Sequence, residues 1–204
     1  MVQPLDRRKE SPSQTAGPYV HIGLMPNFSG IKGVYSEDLG ARLVEDGVKG
    51  ERIKVTGKIF DGTGAAVKDA LLEVWHADAE GLYNSPAEPR GQADPRCRGW
   101  GRIAADMSDG TYLFDTIKPG PVPHPSGVAQ APHITFWIVA RGINLGLHTR
   151  MYFGDESDKN SADPILSRIE HKDRVSTLVA KRTGNTYHFD IRLQGEGETI
   201  FFDI

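Results

Sequence analysis

The residues most suggestive of chemistry lie in APHITFW, residues 131–137. On an extended chain His133 and Thr135 point to the same face, where two neutral imidazoles at i and i+2 could converge on one metal ion. Only the first position is histidine, so the stretch reads either as an ordinary strand carrying a histidine or as a metal strand that has lost ligands. Of the seven histidines in the chain, His76 with Asp78 is the other short pair of good ligand types. It falls at the end of an apolar run, and its plain reading is a surface pair. Asp155, Glu156 and Asp158 form an acidic group in a polar loop with no histidine nearby, the pattern of a solvated turn. No HExxH, CxxC, GxSxG or P-loop spacing is present, which removes the usual signatures of zinc proteases, zinc ribbons, α/β-hydrolases and P-loop enzymes.

The elements that must position these residues read as short strands. With 23 glycines and 13 prolines among 204 residues, the chain is too rich in turn formers for a helical bundle and suits an all-β architecture. Ile53, Val55, Gly57 and Ile59 alternate, a DGTG turn follows, and Leu71 to Trp75 completes a second strand. Asp61, Gly62 and Gly64 lack EF-hand spacing and read as a plain turn. Further strands are expected over 101–106, 111–117, 132–140 and 148–153, with a closing hairpin of 187–193 and 199–203 around QGEGE. One short helix is expected at 163–171, where Pro164 suits a first turn and Ile165, Leu166 and Ile169 have helical spacing. Residues 77–102 form a long loop of the kind that covers a functional opening. Residues 1–12 read as a flexible start, SPSQTAGPYVHIG as irregular but packed, and residues 13–204 as one domain. The sum is a β-sandwich or barrel with long loops at one end.

A formal net charge of −3 offers no field to attract nucleic acid or an anionic membrane. The longest apolar stretch, around Ile134 to Ala140, is too short to span a bilayer, and the first ten residues carry no signal-like core. Cys97, the single cysteine, reads as a buried thiol and fits a cytoplasmic setting.

The stretch KPGPVPHPSGVAQAPHITF, residues 118–136, resembles the intradiol ring-cleaving dioxygenases, and LEVWHADAEGLY at 72–83 is similar to a second segment of that family. Val122 stands where the family has a tyrosine, His133 matches the first histidine of its H-x-H pair, Thr135 replaces the second, and Gln130 replaces an arginine. No tyrosine lies in SPAEPRGQADPRCRGWGR, where the other iron tyrosine is expected, and Tyr83 is too far upstream. Ferric iron is a hard cation best held by anionic oxygen and imidazole, so a valine and a neutral hydroxyl leave the set incomplete. SQTAGPYVHIG, ARGINLGLHTRMYF and FDIRLQGEGETIFFDI resemble the family's α subunits, which bind no iron of their own. That resemblance implies a prealbumin-like sandwich, a β chain of the same fold that ligates Fe(III), an αβ hetero-oligomer, and cleavage of 3,4-dihydroxybenzoate with O2. It also implies that Thr15, Gly17, Pro18 and Arg141 edge the β chain's substrate cavity. The carboxylate of that substrate suits an arginine, either by direct contact or at the entrance. His133 then becomes a hydrogen-bonded core histidine. The alternatives are an unaided dioxygenase using Tyr83, His76 and His133, and a non-catalytic binding module.

Overall fold

The computed structural model describes residues 15–203. The expected flexible start at residues 1–12 lies outside the described residues. The strands, in chain order, are β1 (Arg52–Phe60), β2 (Leu71–Trp75), β3 (Trp100–Ala104), β4 (Thr111–Ile117), β5 (Val122–Pro123), β6 (Ala129–Gln130), β7 (His133–Val139), β8 (Leu147–Phe153), β9 (Val179–Thr183), β10 (Thr186–His188) and β11 (Ile191–Arg192). Two short helices are present, α1 (Pro18–Leu24) and α2 (Ser157–Ala162), with 3-10 turns at Leu166–Arg168 and Lys172–Leu178.

The strands form a β-sandwich bent almost into a barrel. Hydrogen bonding runs β11-β1-β10-β9-β8-β7-β2-β3, with β4 on the other side of β1. Alternation drives the layering, because every second residue of β1 (Ile53, Val55, Gly57, Ile59) turns inward. Ile134, Phe136 and Ile138 of β7 join them with Leu72, Val74, Phe114 and Met151 in one buried cluster. His133, Thr135 and Trp137 consequently occupy the other face of β7. A smaller cluster covers the His133 end of that face, built from Ala131, Tyr152, Leu166 and Leu178 with Phe202 packed against it.

The strand expected to close on its neighbour in a terminal hairpin instead divides in two. β10 and β11 both run parallel to β1, pairing with Lys54–Thr56 and Ile59–Phe60 respectively. Between them Phe189 donates its N–H to Thr56 O, and a Cβ on Gly57 would meet Phe189 O at 1.9 Å. Only glycine allows that backbone approach. Residues 199–202 leave β11 and cross to β8, where Phe202 bridges His148. The hairpin survives only as two hydrogen bonds between Arg192 and Thr199.

Three further expectations change. The helix expected at 163–171 shrinks to a 3-10 turn at Leu166–Arg168, because the chain leaves helical geometry at Ile169; Asp163 Oδ1 accepts from Ile165 N and Leu166 N ahead of the turn, while its Oδ2 accepts from Ala131 N. The irregular segment after Gly17 contains α1, started by Pro18 with its preset φ. β9 falls in a polar stretch whose burial pattern shows a single buried residue, so it lacks the alternation that marks strands. The acidic turn is not simply solvated either. Asp155 accepts from Lys118 Nζ at 2.9 Å, Arg182 Nη1 at 2.7 Å and Tyr187 Oη at 2.9 Å. Partial burial opposes its ionisation, but these donors hold the carboxyl well below the usual carboxylate range.

Candidate functional site

β7 carries a chemically interesting group at each end. Its described length of seven residues separates the two ends by about 20 Å at the rise of a strand.

At the His133 end the two-stranded ribbon β5–β6 places Val122 opposite Gln130. Val122 is buried and offers no electron pair. His133 is 4% exposed, and its Nδ1 lies 2.7 Å from Ala131 O. A carbonyl only accepts, so Nδ1 carries the proton and Nε2 is the free nitrogen. Burial, reinforced by the positive charge of Arg150, pushes the His133 pKa down to about 4. Thr135 is half-buried and pairs in register with Arg150 on β8 and with Trp75 on β2. Cross-strand partners share a face, so the Arg150 side chain lies beside Thr135. Its Nη1 donates to Gln130 Oε1 at 2.8 Å, and its guanidinium lies 5.9 Å from the Phe202 ring centroid. Tyr152 packs against His133 with centroids 5.7 Å apart.

The long loop 77–102 closes the neighbouring edge. Tyr83 stacks on Trp75 with centroids 6.2 Å apart, and burial raises its phenol pKa against the lowering influence of Arg150 and Arg90. The loop is pinned by Asp78, whose Oδ1 accepts from Glu80 N and Leu82 N and whose Oδ2 accepts from Asp94 N. Its foot rests on the KPGP segment so closely that a Cβ on Gly81 would meet Pro121 O at 2.1 Å.

The surface reading of His76 and Asp78 is corrected by this arrangement, since both are buried. His76 Nδ1 donates to Ala77 O at 2.8 Å, which leaves Nε2 to accept from the Thr116 hydroxyl at 2.7 Å. With both nitrogens engaged, His76 is a structural histidine. Cys97 is buried too, and desolvation pushes its thiol up to about 11.

These residues do not fit a ferric ion. Valine and threonine replace two strong donors, His133 supplies one nitrogen, and the guanidinium beside Thr135 repels a cation. Among the described residues no three His, Cys, Asp or Glu side chains converge.

The opposite end is exposed and polar. Beyond β7 the chain turns at Arg141 and Gly142, and Thr15 clasps that turn from outside. Its Oγ1 accepts from Gly142 N at 2.8 Å and faces Ala140 O at 3.4 Å. Thr15, Gly17, Pro18 and Arg141, distant in sequence, thus gather at one rim. The Arg141 side chain is 79% exposed and approaches Asp69 Oδ2 at 3.1 Å through Nε. Gly17 and Pro18 open α1 and border a cavity of about 670 Å³ that also touches His21, Phe28 and Met107. α1 is anchored by Arg102, which donates to Leu24 O at 3.1 Å while paired with Glu73. Arg141 itself borders a second depression of about 560 Å³ with Val67, Ile143 and Leu193. Sequence reasoning missed Arg150 and Asp69. Both become visible only through strand register.

A family model described as "Dioxygenase" matches residues 25–195. The chain is 45% identical over 204 residues to the protocatechuate 3,4-dioxygenase alpha chain of Pseudomonas putida, covering 98% of this chain and 99% of that one. It is 36% identical over 181 residues to the protocatechuate 3,4-dioxygenase beta chain of Burkholderia cepacia, covering 82% of this chain and 75% of that one. Among solved structures, 3-chlorocatechol 1,2-dioxygenase from Rhodococcus opacus 1CP superimposes with a TM-score of 0.56 at 21% identity over 79% of this chain and 69% of that one, a likeness of fold. Sequence and architecture together place the protein: the chain belongs to the intradiol ring-cleavage dioxygenase family.

Proposed function

We propose that this chain is the metal-free α subunit of a protocatechuate 3,4-dioxygenase, paired with a β subunit of the same fold that ligates Fe(III). The complex converts 3,4-dihydroxybenzoate and O2 to 3-carboxy-cis,cis-muconate, breaking the ring bond between the hydroxyl carbons and adding both oxygen atoms, a step of aromatic catabolism. The observation that carries this reading is the His133 end of β7, where Val122, Thr135 and Arg150 replace a cation-binding set. A member of this family so altered needs its chemistry supplied by another chain.

The contribution of this chain is then the opposite rim. Thr15 fixes the turn that carries Arg141, while Gly17 and Pro18 hold an irregular backbone whose peptide groups can face a ligand. The guanidinium neutralises the carboxylate of the substrate and orients the ring toward the β subunit's centre. In keeping with work on a soluble substrate, the described residues contain no helix long and apolar enough to cross a membrane, and we place the complex in the cytoplasm.

The test is to produce the chain alone and together with its β partner, then measure iron content, visible absorbance and O2 uptake with protocatechuate. Iron, colour and turnover are expected only in the joint preparation. A coloured, iron-loaded chain that opens protocatechuate unaided would overturn the reading.

A further inference from the structure

The antiparallel pairing of β2 with β7 has a register in which Leu71 faces Val139 and Leu72 faces Ile138. Extending it two residues beyond the Leu71–Val139 pair brings Asp69 opposite Arg141. The two side chains meet there, with Asp69 Oδ2 3.1 Å from Arg141 Nε. The geometry of this contact is informative. Among the described residues only Nε of the guanidinium is engaged, which leaves both Nη groups at its far end as a fork for a second carboxylate.

Among the described residues the Asp69 carboxylate makes this ion pair and no side-chain hydrogen bond, and its Oδ1 is buried without a partner. The carboxylate sits in the turn before β2, paired with Arg141 and bordering the same cavity as His21, whose imidazole feels its charge. Its side chain is 29% exposed against 79% for Arg141, so the aspartate is the more buried member and the arginine the one presented to a neighbour. A freely rotating arginine loses side-chain entropy when it captures a ligand. A pre-positioned one loses less.

We propose that Asp69 is a positioning residue for substrate recognition: it grips Arg141 by Nε and presents the two Nη groups to the carboxylate of an aromatic acid. The inference rests on the reading that Arg141 meets substrate in the αβ complex. It predicts discrimination between catechols with and without an acid group, because only the former uses the presented fork.

The experiment compares wild type, Asp69→Asn, Asp69→Glu, Arg141→Ala and the Asp69→Asn/Arg141→Ala double variant, each co-expressed with the β subunit and checked for iron content. Steady-state kinetics are measured with protocatechuate and with catechol. For Asp69→Asn, KM for protocatechuate is expected to rise about tenfold, with a much smaller change in kcat and little change in kcat/KM for catechol. Asp69→Glu should recover part of the loss, and the double variant should be no worse than Arg141→Ala alone. An unchanged or lowered KM for protocatechuate in Asp69→Asn, an equal loss on both substrates, or additive losses in the double variant would each overturn the role of Asp69. If Arg141→Ala itself matched wild type on protocatechuate, the underlying reading of the rim would fail instead. A preparation with reduced iron content would be read through Asp69→Glu, which keeps the charge.

Discussion

At one end of β7, His133 and Thr135 lie beneath a ribbon, a tyrosine-bearing loop and the returning C-terminal segment. At the other end Arg141 leaves the strand exposed and pairs with Asp69, while Thr15 clasps the next residue, Gly142. The first end, where the resemblance puts metal ligands, carries Val122 across from Gln130 and Arg150 across from Thr135. The second end lies about a strand length from the first, and in the proposed complex it is the end that meets the β subunit. The contrast teaches that a subunit can retain a fold while relocating its contribution from the cavity it encloses to the rim it offers a neighbour.

The comparison can be broken most sharply by attempting to restore the lost site. Val122→Tyr with Thr135→His returns two donor types, but iron content of the isolated chain should stay near zero while Arg150 is present, because a cation of fixed charge remains in the first coordination space. Adding Arg150→Gln to that pair is expected to raise iron binding measurably. Stoichiometric loading of the double variant with Arg150 intact would show that the guanidinium does not obstruct the site.

A smaller effect is expected at the rim. Arg141→Ala in the complex should lower kcat/KM for protocatechuate by about ten- to a hundredfold, the size of a lost charge-assisted hydrogen bond or two. Iron occupancy should stay full. Kinetics equal to wild type would detach the rim from catalysis.

His133 offers a pH test of the buried end. Its folded-state pKa, pushed down to about 4 by burial and by Arg150, lies below the unfolded value near 6.5. The unfolded chain therefore binds the extra proton first. The stabilising contribution of neutral His133 is complete above about pH 6.5 and is lost as pH falls toward 4, by about 3 kcal/mol in all. His133→Asn, which can still donate to Ala131 O, should flatten this part of the stability curve in denaturant titrations. An unaltered slope would mean that other groups dominate acid sensitivity. The same variant should leave the kinetics of the complex at pH 7.5 within about twofold of wild type, in contrast to Arg141→Ala.

Much of this molecule was legible in its residues, and the exceptions have physical causes. β1, β2, β4, β7 and β8 announce themselves because one face of each is buried, which forces an apolar alternation or run. The odd chemistry of His133 and Thr135 was also plain, since period-two spacing puts both on one face. β9 was not, because its outward residues are polar and it is held by neighbours on both sides rather than by its own pattern. The short turn after Asp163 escaped notice because Ile165, Leu166 and Ile169 have helical spacing, whereas the backbone turns extended at Ile169 and ends the turn there. Arg150 and Asp69 belong to a third kind. Nothing in HTRMYF or AVKDALL marks either residue, and their meaning arises only when pairing sets Arg150 beside Thr135 and Asp69 across from Arg141.

The parallel pairing of β1 with β10 and β11 also governs when the molecule can exist. Lys58 N donates to Asp190, 132 residues later in the chain. At ribosomal speeds of about 5–20 residues per second, that interval lasts roughly seven to twenty-five seconds. For all of that time β1 has emerged with one edge bare, able to meet β4 but not its C-terminal neighbours. A nascent chain in this state presents an open strand edge to any other growing chain nearby. Completion of the β1 edge must therefore wait until residues 186–192 have been made, because the two sides of this strand are written far apart in the chain.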